Sequence, residues 1–348
     1  MNSPDACVAT GRFERRAFQD VSFTAKADLP SAVAVSRNIE RKFNLIDLSP
    51  VPTVSIIMSM RDSAATLNSA IRSIIWQTLT DWELVLIDDG SRDDSPARAA
   101  AFGDPRILII RHEESKGLAC RLNEAVRLAR GELIARMDAD DICYPERLAV
   151  QVGVLQADPG IDVLASKALV FRRQGEIVGV MPVPATHDEI VVQPYRGFMF
   201  PHPTWCGRAA WFRRYQYDER LWITQDQELL LRAVGSSRFA AVNKILLGYR
   251  KEHLDLAKSL RGRMIYSAAI WRHARRSGAY VRAVTDIALH LTKFAAEVAA
   301  VGLGAEEWLL KQKLNSSLTP EEVEQWHMVW SETSRASENR HQDASGAL

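Results

Sequence analysis

Leu133-Ile134-Ala135-Arg136-Met137-Asp138-Ala139-Asp140-Asp141 is the stretch that decides how this chain is read. An apolar run of strand character ends in three carboxylates within four residues. A strand that delivers acids at its C-terminal end puts them where open α/β sheets bind ligands. Side-chain oxygens at this spacing suit a hard cation such as Mg²⁺ or Mn²⁺, shared with substrate phosphates. Taken alone, the same letters also describe a polar loop with a helix cap, so the neighbouring chain has to decide.

Upstream, Val54-Ser55-Ile56-Ile57-Met58 predicts a buried first strand, followed by the loop Ser59-Met60-Arg61-Asp62-Ser63. Leu67, Ile71, Ile74 and Ile75 then recur at helical spacing, closed by Gln77-Thr78. Glu83-Leu84-Val85-Leu86-Ile87 is a second strand ending in Asp88-Asp89-Gly90-Ser91. Strand, helix, strand in so short a span is a βαβ unit, which demands a parallel pair. Ile107-Leu108-Ile109-Ile110 supplies a third strand, and Gly117 opens a helix carrying Leu118, Leu122, Val126 and Leu128 that closes near Gly131. The loops at Asp62, at Asp88-Asp89 and at Asp138 to Asp141 therefore fall on one edge of a mostly parallel sheet. A dinucleotide-binding Rossmann domain needs G-x-G-x-x-G after its first strand, and none follows Met58. Several acidic loops instead point to a nucleotide-plus-metal site.

The second half is less regular. Residues 162–171 read as a strand, and Pro182, Pro184, Pro194, Pro201 and Pro203 punctuate the loop-rich segment after it. His202 stands between two of these prolines on a stiff, extended backbone; it suits a ligand contact and a structural role equally. Thr224, three residues before Gln227, predicts a capping box that opens a helix. Asp226 then lies in the first turn, where the macrodipole favours the ionised carboxylate that a general base requires. An ordinary first-turn acid has the same signature. Trp205, Trp211 and Trp222 offer an aromatic platform for a ligand, with core packing expected for at least two of them.

At 348 residues, 47% apolar and 25% charged, the chain has an ordinary globular balance, and its net charge of +1 gives no footing for nucleic acid. Cys7, Cys120, Cys143 and Cys206 form no C-x-x-C pair, so no zinc framework or disulfide scaffold is implied. Neither a secretory signal nor a transmembrane helix is expected, which fits a cytoplasmic protein.

Towards the C-terminus, Arg250, Lys251, Lys258, Arg261, Arg263, Arg272, Arg275 and Arg276 face only Glu252 and Asp255 within residues 250–276. Residues 281–303 then predict a helix whose polar positions, Arg282, Asp286, His290, Lys293 and Glu297, share one narrow stripe. So apolar a helix is either packed in protein or placed at a membrane interface. In the first case Val284, Ile287, Leu291, Phe294 and Val298 pack on the catalytic domain or on a second subunit. Thr319-Pro320-Glu321-Glu322 starts a last helix.

Taken in order, these segments resemble the family 2 glycosyltransferases. The matching pieces are residues 54–62, Gln77-Thr78, Asp88-Asp89-Gly90-Ser91, residues 117–123, Asp138-Ala139-Asp140-Asp141, His202-Pro203 and residues 226–232. The resemblance implies a GT-A fold: an α/β nucleotide-binding sheet flanked by helices, here with a C-terminal helical extension. It divides the chain into a leader at 1–51, a GT-A domain at 52–255 and a helical extension with a disordered tail at 256–348. It implies Asp62 and Asp89 as contacts to the base and ribose of a nucleotide sugar, and Asp138 as a nucleotide or metal contact. It further implies Asp140 as the metal ligand bridging the diphosphate and Asp226 as the catalytic base. Asp88, Arg121 and His202 join the expected nucleotide-sugar set.

The implied activity is inverting transfer of one sugar from a nucleotide-diphosphate donor, UDP-sugars included, with Mg²⁺ or Mn²⁺. The acceptor is a glycan or a lipid-linked hydroxyl in surface-polysaccharide assembly. A homo-oligomer, and peripheral contact of residues 256–303 with the inner face of the cytoplasmic membrane, complete the expectation. Departures are Met60-Arg61-Asp62, where the family often has Val-Tyr-Asn, and Gln225, where an acid is common before the base. The Gln-x-x-Arg-Trp segment of processive members is absent. Two competing classes are a sugar-phosphate nucleotidyltransferase and a non-catalytic scaffold of the same fold.

Overall fold

A computed structural model describes residues 50–252, 255–305, 308, 314 and 317–334. The expected leader before Pro50 and the tail beyond residue 334 lie outside the described residues. The first half alternates as its apolar runs require: β1 (Val54–Met60), α1 (Leu67–Ile75), β2 (Trp82–Asp89), α2 (Ser95–Ala100), β3 (Ile107–His112), α3 (Leu118–Leu128) and β4 (Leu133–Arg136). β1 pairs in parallel with both β2 and β4, and β2 with β3. All eight residues of β2 are buried, as a strand covered on both faces must be.

The second half adds β5 (Ile142–Cys143), α4 (Arg147–Ala157), β6 (Val163–Arg172), β7 (Glu176–Met181), α5 (His187–Val191), β8 (Cys206–Arg208), α6 (Ala209–Arg214), α7 (Gln225–Ala233) and β9 (Phe239–Arg250). These strands join the same sheet in the order β3-β2-β1-β4-β8-β6-β9-β5, with β7 on β6. The pairs β4/β8, β6/β8, β5/β9 and β6/β7 are antiparallel and β6/β9 is parallel, so the full sheet is mixed while its nucleotide half is wholly parallel.

Among the described residues follow α8 (Leu256–Ser277), α9 (Tyr280–Gly302) and α10 (Pro320–Ser334). α10 opens where expected, with Thr319 N–H donating to Glu322 and Glu322 N–H to Thr319 Oγ1. It returns to the sheet and buries Trp326 and Val329 among Tyr144, Leu169, Phe171 and Ile245. The described residues from Val51 onward cluster as one compact unit.

α9 runs contrary to the expected packing. The acids and the histidine of its polar stripe turn inward: Asp286, His290 and Glu297 are buried, while Arg282 and Lys293 of the stripe and Val284, Leu291 and Val298 are exposed. The reason is a set of partners for the stripe. Arg263 of α8 donates to Glu297 at 2.7 Å and Ser259 donates to the same carboxylate at 2.6 Å. Arg196 donates to Asp286 at 2.8 Å, and His290 Nε2 donates to the Tyr195 carbonyl at 2.8 Å. Only Ile287, half-buried, packs on the domain's apolar core as expected.

Candidate active site

The C-terminal ends of β1, β2, β4 and β9 open onto a cavity of about 480 Å³. Its walls include Ser59, Arg61, Asp62, Asp89, Gly117, Asp138, Ala139, Asp140, Trp222 and Arg250. Four of the sequence-predicted residues, Asp62, Asp89, Asp138 and Asp140, are thus brought together.

Each is held by local chemistry. Asp62 adopts a left-handed backbone (φ 48), a conformation that Asp tolerates better than most residues. Its N–H donates to Ser91 Oγ at 3.0 Å and its Oδ1 accepts from Arg92 N–H at 2.7 Å, which ties the first loop to the second. Asp89 accepts from Ser115 Oγ, Lys116 N–H, Gly117 N–H and Arg121 Nε at 2.6–3.0 Å. Burial works against this carboxylate, but those donors outweigh it and hold its pKa below the usual range. Its four acceptor positions are all taken, so Asp89 organises the loop after β3 at the cavity wall. Gly117 (φ 87) begins α3, and a Cβ there would meet the Trp222 ring at 3.3 Å. Trp222 lies on that glycine, 61% exposed, while Trp205 and Trp211 are core residues as expected.

Asp138, Asp140 and Asp141 present oxygen atoms that all lie within 4.8 Å of one another. Asp138 pairs with buried Arg136. Asp141 is fully buried; one oxygen accepts from Arg250 N–H at 2.9 Å and the other has no hydrogen-bond partner. Burial, then the Asp138 charge, pushes the Asp140 carboxyl up to about 6, and burial with both neighbours raises Asp141 well above the carboxylate range. Crowded acids with an orphaned oxygen fit a hard divalent cation, whose charge would relieve that repulsion. Asp138 and Asp140 line the cavity and would hold the ion; Asp141 backs them.

Arg250 was not singled out by sequence reasoning, which counted it with the basic run. It ends β9 and belongs to the cavity. Its Nε donates to the Asp140 carbonyl at 3.0 Å, and its guanidinium lies 4.6 Å from the centre of the Phe171 ring. The available signal was the run Ile245-Leu246-Leu247-Gly248-Tyr249-Arg250, a strand ending in a cation. Arg136 was missed too: no partner is found for its Nε and Nη1, and it is a buried cation that pairs with Asp138 and favours the charged form of Asp226.

Asp226 lies in the first turn of α7 as expected, but the capping box does not form. Thr224 is left-handed (φ 63) and makes no side-chain cap bond. Gln227 is diverted: its Oε1 accepts from Phe198 N–H at 2.7 Å and its Nε2 donates to Phe198 O at 3.3 Å. Burial raises the Asp226 pKa, opposed by Gln227 and Arg136.

Asp88, Arg121 and His202 stand behind the wall rather than on it. Asp88 caps the turn by accepting from Ser91 N–H and Oγ. Arg121 is spent on Asp89, Glu124 and the Glu114 carbonyl. His202 pairs with Tyr217 at 2.8 Å, and burial with the nearby Arg136 keeps its imidazole neutral.

The sequence profile of Glycosyl transferase family 2 matches residues 55–216, which hold the Asp62, Asp89 and Asp138-to-Asp141 loops. The part of the chain that carries these loops is similar to glycosyl transferase family 2. Among similar proteins, the putative glycosyltransferase EpsE of Bacillus subtilis is 34% identical over 187 residues, 52% of this chain and 66% of EpsE. The UDP-Glc:alpha-D-GlcNAc-diphosphoundecaprenol beta-1,3-glucosyltransferase WfgD of Escherichia coli is 36% identical over 102 residues, 29% of this chain and 40% of WfgD. The matches thus span less than two thirds of both relatives. The mannosyltransferase PcManGT of Pyrobaculum calidifontis, solved with GDP-Man and Mn²⁺, superposes with a TM-score of 0.50 at 17% identity, covering 89% of this chain and 94% of that one. At that identity the likeness speaks for the fold, which is GT-A.

Proposed function

We propose that the chain is an inverting, cation-dependent transferase that moves one sugar from a nucleotide-diphosphate sugar to an acceptor hydroxyl. The observation that carries this is the trio Asp138, Asp140 and Asp141, the first two of which line the cavity with Asp62 and Asp89 while Asp141 backs them. The WfgD and PcManGT names, which print a UDP-sugar and GDP-Man, support a nucleotide-sugar donor. Asp62 and the Asp89 loop face the nucleoside, and Asp138 and Asp140 the diphosphate. A bound Mg²⁺ or Mn²⁺ supplies charge neutralisation for the leaving nucleoside diphosphate.

The chain's own residues do the rest. Arg61 and Arg250 line the same cavity and present guanidinium donors to phosphate oxygens. Trp222 offers an exposed ring against which a sugar face can stack. Asp226 takes the proton of the acceptor hydroxyl; burial raises its pKa, which makes its carboxylate a stronger base than that of a free aspartate. Attack opposite the diphosphate inverts the anomeric centre and needs no carboxylate nucleophile.

The acceptor is a glycan or lipid-linked sugar of surface-polysaccharide assembly, which places the reaction at the inner face of the cytoplasmic membrane. The WfgD name, which prints a diphosphoundecaprenol acceptor, supports that choice. Nucleotidyl transfer is disfavoured because residues 59–66 hold neither a glycine-rich phosphate loop nor a lysine. A panel of nucleotide sugars, with lipid-diphosphate sugar acceptors and with or without Mn²⁺, tests the reading. Cation-dependent transfer from one donor supports it; nucleotide binding without turnover of any donor would leave the scaffold.

A further inference from the structure

The hairpin α8–α9 is built inside out. Its acids are inside: Asp286 and Glu297 are buried and paired with Arg196 and Arg263. Its cations are outside. Lys258, Arg261, Arg272, Arg275, Arg276 and Lys293 are exposed and face no acidic partner among the described residues. On α9 the positions Val281, Val284, Ala288, Leu291, Ala295 and Val298 step by three and four, so they line one face. All six are exposed and none carries charge. Met264 and Trp271 add apolar surface on the outer side of α8. Trp271 meets Tyr280 edge-on at the turn, and both rings are about half exposed.

We infer that this hairpin docks on an anionic lipid bilayer, with the Val284–Leu291–Val298 row entering the headgroup boundary and the α8 cations held at its surface. An apolar row beside lysines and arginines, with aromatic rings at its end, is the composition that lies in a membrane interface. No described helix is long and apolar enough to cross a membrane, so the hairpin lies on the surface. A second copy of this chain is the poorer occupant. A two-fold contact between hairpins would set the same cations of both copies against one another, and like charges at an interface are repulsive. The surface gives the membrane location proposed above a physical basis and rests on that location, not on the transfer chemistry.

The test is flotation of the full chain with vesicles of neutral lipid alone and with added phosphatidylglycerol. Binding is expected only to the anionic vesicles, weakened by salt. Arg272→Glu/Arg275→Glu/Arg276→Glu should lower partitioning by on the order of 100-fold or more. Val284→Asp/Leu291→Asp should abolish the binding that survives salt. These exposed residues lie off the cavity, so both variants should bind nucleotide as the parent does, which controls for folding. A parent chain that ignores anionic vesicles overturns the inference. So does a dimer in solution that Val284→Asp/Leu291→Asp converts to monomer without any change in flotation. A failed donor panel would leave the flotation result standing, so the two readings fail separately.

Discussion

Asp140 is a carboxyl held up to about 6, against 3.8 for the free group, by burial and by Asp138. Between those values the folded, cation-free protein binds a proton that the unfolded chain has released. This group's contribution to stability is therefore full below about 3.8 and is lost as pH rises through about 6. A cation requires the ionised form, so its stabilisation has the opposite dependence. We expect Mn²⁺ to raise the melting temperature clearly at about pH 7.5 and little at about pH 5, in scanning calorimetry at fixed metal concentration. Equal shifts at both pH values would place the ion elsewhere. At Asp226 the expectation concerns rate. Asp226→Asn keeps the shape and loses the proton acceptor, so kcat should fall by on the order of 10²–10⁴ with donor KM nearly unchanged. A collapse of donor affinity with turnover preserved at saturation would make Asp226 a binding residue.

Among the elements, those legible in the sequence were the ones whose signal is local. β1 to β4 are mostly apolar runs that end in acids or a short basic segment, and α1 and α3 carry clean helical spacing. β5 and β8, of two and three residues, carry no pattern of their own and exist because β9, β4 and β6 pair with them. β9 was hidden because exposed Asn243 and Lys244 interrupt its apolar run. Periodicity placed Asp286, His290 and Glu297 on one face of α9, but the partners that turned that face inward, Arg196, Arg263 and the Tyr195 carbonyl, are distant in sequence or on another helix. The candidate site divides the same way. Acids at strand ends could be found, whereas Arg250 and Arg136 gain meaning only from their surroundings in the fold.

α10 makes an element-level prediction. Trp326 is fully buried, donates to the Gly175 carbonyl at 2.8 Å and rests on Gly248, where a Cβ would come within 2.4 Å of its ring. Trp326→Ala should cost about 3–5 kcal/mol in chemical denaturation. Gly248→Ala should cost about 1–3 kcal/mol by overpacking. Wild-type stability in either variant would mean that α10 does not complete the domain.

At the scale of the whole molecule, one mixed sheet gathers loops from residues 59–66, 88–91, 138–141 and the end of β9 around a single cavity, while the C-terminal helices serve two ends. α10 closes the core behind Arg250, whose guanidinium stacks on Phe171 and approaches Trp330. The α8–α9 hairpin turns its uncharged row and its exposed cations outward. Truncation after residue 255 should therefore destabilise the catalytic domain rather than release it intact.

The central claim is that Asp140, with a divalent cation, binds the diphosphate of a nucleotide, and that Asp226 acts only afterwards. Calorimetric titration of the purified full chain with UDP and with GDP, in Mn²⁺ and in excess chelator, tests it most directly. We expect one nucleotide to bind in Mn²⁺ and to be lost in chelator, lost in Asp140→Ala and retained in Asp226→Asn. Binding that is indifferent to both the chelator and Asp140→Ala would contradict it.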